Sequence, residues 1–284
     1  MTGIITFTTD FGTDSPYVAQ MKGAALAIAP DIHLVDMTHA VEPQSVAMGA
    51  LLLSEVACRF PPGTIHVAVI DPGVGTQRSI LAAQIGEWRF VAPDNGLWTL
   101  LLRRFPLGQV VRLDNPDYWN AEISTTFHGR DIMAPVAAHL ARGVPLSRLG
   151  SPASVEHSLD WPVADRTAGH VEGRIVAADS FGNLLTNIAE SDLATIVGRK
   201  VSVSVGAHRD IPLVTTYGDA SSGSLVALVG SSGHLEIALV NGSAASMLKL
   251  PVPSRRFAML PKQHALPVTV EVCTSSETGL RPQG

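Results

Sequence analysis

Asp71 and Arg78 bracket the loop in "VIDPGVGTQRS" (69–79), and His128 stands in "TTFHGRD" (125–131). An acid, a guanidinium and an imidazole are the parts from which a site that orients and deprotonates a nucleophile is made. The glycines at 73 and 75 also admit a phosphate-cradling loop. The dinucleotide fingerprint, however, needs a third glycine, a helix opening on the loop and an acid about 20 residues on, and the stretch supplies none of these. Asp71-Pro72-Gly73 reads instead as a turn at a strand end, with Arg78 able to fold back toward Asp71. A plain surface ion pair is the competing reading. Asp10, in "TTDFGTD" (8–14), ends another strand, where a carboxylate suits ribose hydroxyls, a metal or a helix-capping turn. His128 precedes a helix, and the helix N-terminus is expected to lower its pKa and keep it neutral.

Asp10, Asp71, His128 and Asp131 could also hold a metal in a phosphoesterase-like site. The ten histidines show no H-x-x-x-H pair, and no cysteine pair has ligand spacing. No G-x-S-x-G elbow is present either. In the second half, "ADSFGNLLTNI" (178–188) puts Asp179, Phe181 and Asn183 in one glycine-containing turn, a combination suited to a base or an amino acid. "GSSGHLEIALVNGSAAS" (230–246) places two Gly/Ser turns around a strand, where backbone groups could approach a planar ligand.

The elements that must position these residues follow from periodicity. Strands are expected over 3–10, 32–38 and 63–71, and helices over 16–30, 45–60, 97–105 and 128–143, the last stopped by Gly143. A hairpin is expected over 78–96. This alternation predicts an α/β domain over 1–155, a mostly parallel sheet with covering helices. Residues 152–168 read as a linker. Short strands over 173–179, 183–188, 200–206, 224–230, 235–240 and 267–273 then predict an all-β, barrel-like domain over 168–284.

The 284 residues are 46% apolar and 16% charged, with a formal net charge of −5 and a pI near 6.0. That balance describes a folded chain with no global attraction for nucleic acid. Cys58 and Cys273 read as reduced, buried thiols. No leader and no run of about 18 apolar residues is seen, so the expected place is the cytoplasm, off the membrane.

Taken in order, "TDFG…YVAQMKG" (9–23), "DPGVG…R" (71–78), "APDNGL" (92–97), "TFHGRD" (126–131), "DSFGNLLTNI" (179–188) and "GSSGHLEIA…GSAA" (230–245) resemble the S-adenosylmethionine (SAM) hydroxide adenosyltransferases, relatives of the fluorinases and chlorinases. The resemblance implies an N-terminal α/β domain, a C-terminal β-barrel, and a homotrimer with active sites at subunit interfaces. It implies SAM as substrate, no cofactor and no metal. Catalysis would fall to Asp71, Arg78 and His128, with Asp10 on the ribose. Asp179 and Asn183 would hold the methionine end beside Phe181, and the backbone at Gly242 and Ala244 would meet adenine. Ser15, Tyr17, Asn95, Thr126, Phe127 and Ser231 fall at further substrate contacts. Asp71, His128-Gly129 and Gln44 stand where the halogenases carry Tyr, Tyr-Ser and Trp, which is the hydrolase pattern. A halide-using transferase and a non-catalytic SAM or adenosine sensor are the alternatives.

Overall fold

Apolar runs set the central strands of the first of two units, Met1–Asp160 and Trp161–Gly284. The computed structural model describes residues 3–194, 196, 199–253 and 256–272, and Cys273 lies outside them. The first unit runs β1 (Ile4–Thr9), α1 (Tyr17–Ile28), β2 (His33–Thr38), α2 (Val46–Val56), β3 (Ile65–Val69), β4 (Ile80–Ile85), β5 (Trp88–Pro93), α3 (Thr99–Arg104), β6 (Leu107–Arg112) and α4 (Ala134–Ala141). Its six strands form one sheet in the order β2-β1-β3-β5-β4-β6. Pairing is parallel from β2 through β1 and β3 to β5. β4 runs antiparallel to β5 and β6, so the sheet is mixed rather than nearly all parallel.

β3 is buried along its whole length and β1 nearly so, as strands covered on both faces must be. Phe7, Val67 and Val91 share a core with Met21 of α1 and Val136 of α4. α2 and α3 pack against each other, and Phe90 stacks with His66 and meets Trp98, at the start of α3.

Four expectations for this unit change. β6 is an unanticipated strand, because Leu107, Gly108 and Gln109 are exposed and only Val110 and Val111 signal burial. The helix expected over 128–143 opens as a π-helical turn, Gly129–Met133, before α4. Pro135 has no N–H to offer the carbonyl of Asp131, which accepts instead from the Asn120 amide at 2.9 Å. Residues 152–160 are not a loose linker. The buried Asp94 carboxylate accepts the amides of Glu156 and His157, and Leu159 N–H donates to Thr99 Oγ1. Cys58 is a free thiol, half-buried rather than buried.

The second unit contains β7 (Asp165–Thr167), β8 (His170–Ala178), β9 (Leu184–Ala189), β10 (Val201–Val205), β11 (His208–Ile211), β12 (Leu225–Val229), β13 (His234–Leu239), α5 (Ala244–Met247), β14 (Ala258–Met259) and β15 (Pro267–Val272). The strand order is β11-β10-β15-β8-β9-β13-β12, with β7 and β14 also on β8. The named pairs are antiparallel. A bridge between Leu213 and Ala227 brings the chain after β11 back to β12 and nearly closes a barrel. Val171, Ile175, Leu235, Ile237, Val268 and Val270 fill its core. β7, β11 and β14 escape the sequence because they are two to four residues long.

Candidate active site

Asp10 and Asp71 follow β1 and β3, adjacent parallel strands in which Thr9 pairs with Val69. Both carboxylates therefore emerge at the carboxyl ends of neighbouring strands, where open sheets of this kind present their ligand crevice. Burial pushes the Asp10 carboxyl up, and the charge of Asp71 adds to this.

The glycine loop between Asp71 and Arg78 uses its donors on itself. Val74 N–H donates to the Asp71 carbonyl and Thr76 N–H to the Gly73 carbonyl, so those amides are not free to cradle a phosphate. Gly75 adopts φ +78°, and an added Cβ would lie 2.8 Å from the Thr125 carbonyl oxygen. That turn returns Arg78 to Asp71. Arg78 Nε stands 3.0 Å from each Asp71 carboxylate oxygen. Its Nη2 donates to Asp71 Oδ2 at 2.5 Å and to His128 Nδ1 at 2.9 Å. The two charged side chains are only 12% and 6% exposed. Burial, then the Arg78 charge, lowers the His128 pKa. The expected direction holds, and the principal cause is burial rather than a helix terminus.

A cavity of about 400 Å³ lies against this cluster, lined by Asp10, Asp71 and His128 together with Tyr17, Thr126 and Phe127. Phe11, Tyr17 and Phe127 meet edge to face, with centroids 5.4–5.8 Å apart. The Arg130 guanidinium lies 4.9 Å from the Phe127 ring centre and pairs with Asp131, which is 1% exposed. Asp131 also accepts the Ser124 amide at 2.8 Å, fixing the loop that carries Thr126 to His128.

Two predicted residues of this unit do not line the cavity. Ser15 Oγ donates to the Phe11 carbonyl. Asn95 Nδ2 donates to the Ile70 carbonyl at 2.8 Å, which fixes the backbone just before Asp71. Phe11 and Gln44, for which no substrate contact was expected from the sequence, also line the cavity. Phe11 lies inside the "TDFG" stretch that drew attention to Asp10. Gln44 donates its backbone N–H to Asp10 Oδ2 at 2.7 Å from a left-handed conformation, φ +63°. No side-chain pattern announces that contact.

In the second unit Asp179 Oδ1 accepts the amides of Phe181 and Asn183, and Oδ2 accepts Asn183 Nδ2, all at 2.9 Å. Asn183 thus orients Asp179 and does not line the 260 Å³ cavity bounded by Asp179, Phe181, Gly182, Ser243 and Ser246. Phe181 is 77% exposed. Gly242 and Ala244 flank Ser243, whose hydroxyl caps α5 through Ser246 N–H, and Ser231 lies in the turn between β12 and β13. None of these three lines the cavity. A buried group without an assigned role is Glu236, which accepts from Tyr217 at 3.4 Å. Its carboxyl is pushed up by burial and by the charge of Asp179.

An acid–arginine–imidazole cluster beside a cavity in an α/β unit, in a chain with a second, barrel-like β unit, is an arrangement suited to an enzyme that acts on a small molecule. Residues 5–150 match the SAM hydroxide adenosyltransferase N-terminal domain, and residues 173–255 match the C-terminal domain. The chain belongs to the SAM hydroxide adenosyltransferase family. It is 39% identical over 252 residues to the (R)-S-adenosyl-L-methionine hydrolase of Thermus thermophilus, covering 86% of this chain and 94% of that one. Identity to the fluorinase of an Actinoplanes species is 31% over 268 residues, 83% of this chain and 90% of that one. A solved structure of an uncharacterized conserved protein from Thermotoga maritima matches with a TM-score of 0.81 at 34% identity, over 94% of this chain and 99% of that one. Among the described residues no helix is long and apolar enough to cross a membrane.

Proposed function

We propose that this protein hydrolyses SAM to adenosine and L-methionine in the cytoplasm, with no metal or other cofactor. The observation that carries the reading is the half-buried Asp71–Arg78–His128 cluster, whose Asp71 and His128 line a cavity together with Asp10. The relatives named as (R)-S-adenosyl-L-methionine hydrolases support it.

The chemistry fits the groups at hand. A sulfonium leaves as a neutral thioether and needs no acid. What the reaction lacks is a competent nucleophile at ribose C5′, because free water is weak. Asp71, Arg78 and His128 hold a water and assist loss of its proton, a contribution of about 10²–10⁴-fold. Asp10, with one oxygen on the Gln44 amide, keeps acceptor capacity for the ribose hydroxyls and aligns C5′ with the attacking oxygen. The Asp179 turn, with Phe181 beside it, takes the methionine end. By the family resemblance the protein works as a homotrimer, with that turn contributed by a neighbouring subunit.

Incubation with SAM and chromatography for adenosine tests the reading. Adenosine and methionine are expected in equal amounts, and no adenosine from folded protein would sink it. Addition of a chelator is expected to leave the rate unchanged. The fluorinase relatives raise a halide nucleophile as the second reading. The Asp71 carboxylate disfavours an anion at the attacking position, so no 5′-chloro-5′-deoxyadenosine is expected with added chloride.

A further inference from the structure

Arg78 reaches Asp71 and His128 with the same nitrogen, Nη2, at 2.5 and 2.9 Å. A guanidinium has donors only, so the imidazole nitrogen that faces it must accept. A neutral imidazole has one lone pair in the ring plane, and Arg78 occupies it at Nδ1. The ring's only proton then sits on Nε2, which can donate and cannot accept. Asp71 is different. Each carboxylate oxygen has two acceptor positions. Oδ1 receives only the Arg78 Nε–H among the side-chain contacts of the cluster, while Oδ2 receives both Nε–H and Nη2–H. The remaining acceptor capacity of the cluster lies on Asp71, which lines the cavity.

From this lone-pair inventory we infer that Asp71 is the group that takes the proton of the attacking water, and that His128 is a positioning residue. His128 holds Arg78 in the plane that orients the Asp71 carboxylate. This deepens the hydrolase reading and rests on it. In the step, the water oxygen bonds to C5′ as the C5′–S bond breaks, and the bonding pair leaves with sulfur to give neutral methionine thioether. One water proton passes to Asp71, and the other stays on the adenosine hydroxyl. A carboxylate is basic enough because the proton becomes strongly acidic as the O–C5′ bond forms, so free hydroxide is not required.

The neutral state of His128 is supported independently, since burial and Arg78 both lower its pKa. Asp71 and Asp131 oppose that shift, and Asp10 is the other charged group beside Asp71.

Two measurements test the inference. The first is kcat/KM of the wild type beside Asp71→Asn, His128→Ala and His128→Gln, whose side-chain oxygen can still accept from Arg78. His128→Gln is expected to lose about tenfold or less, while Asp71→Asn loses about 10²–10⁴-fold. A His128→Gln enzyme as inactive as Asp71→Asn, or no more active than His128→Ala, which offers Arg78 no acceptor, overturns the assignment. The second is ¹⁵N NMR of the His128 ring in the whole protein without substrate. An Nε2–H tautomer is expected, and a proton on Nδ1 overturns the inventory. A folded protein that never turns over SAM refutes the hydrolase reading, and the NMR result still decides the lone-pair assignment.

Discussion

Asp71 and Arg78 neutralise each other where water barely reaches, with side chains 6% and 12% exposed. Truncating one partner of such a pair costs about 3–5 kcal/mol, because the other charge stays buried. Arg78→Met is therefore expected to lower the thermal midpoint and abolish turnover. Arg78→Lys should keep more of the stability yet lose about 10²-fold or more in kcat, since an ammonium cannot hold a carboxylate and an imidazole with one planar fork. Calorimetry alongside adenosine release separates the two variants. His66 gives a different prediction. It is fully buried, stacked on Phe90, with Nδ1 2.8 Å from Thr6 Oγ1. Burial drops its pKa from 6.5 to about 3. The unfolded chain binds that proton first, so stability falls as pH drops below about 6.5, by about 1.4 kcal/mol per unit until about pH 3. His66→Phe is expected to flatten the thermal midpoint against pH in that window, and an unchanged slope would contradict it. At this level Asp71, Arg78 and His128 are legible in the sequence through the family motifs that carry them, since residue type alone left an ion pair or a metal site open. Gln44 and Asn95 are less so, since each acts on or through a backbone group.

The loop from Asp71 to Arg78 shows how an element, rather than a residue, makes the cluster. Its internal hydrogen bonds and the left-handed Gly75 bring Arg78 back over seven positions to Asp71. Alanine at 75 would need positive φ and would place Cβ 2.8 Å from the Thr125 carbonyl. Gly75→Ala is expected to cost more than about 1 kcal/mol and to reduce kcat more than it raises KM. Denaturant unfolding and steady-state kinetics check both parts. The β1, β3 and β5 strands and α1 are legible as elements because long apolar runs and helical spacing leave few alternatives. β6, β7, β11 and β14 are held by pairing with better-marked neighbours, so their own sequences carry little signal. The strap at 152–160 has the composition of a linker, and only the buried Asp94 carboxylate and Thr99 hydroxyl turn it into fixed structure.

For the whole molecule, the proposed sharing of each site between subunits has a direct consequence. Asp71→Asn damages the first unit and Asp179→Ala the second, so each variant alone is expected to be nearly inactive. Co-assembled at random in equal amounts, they should regain about a quarter of wild-type activity, because each site draws its two halves from different chains. No recovery would place both halves in one chain. The order of the motifs, the two-part division and the identities of the charged groups are already determined by the amino-acid sequence, because periodicity and residue type report burial and chemistry locally. Three things wait for the tertiary structure: that one Arg78 nitrogen serves both Asp71 and His128, that Asn95 and Asn183 orient backbone and acid instead of lining a cavity, and that Glu236 is buried near Asp179. The reason is physical. Hydrogen-bond partners, lone-pair occupancy and buried charges depend on approaches between residues from four to 57 positions apart, and only the folded backbone fixes those distances.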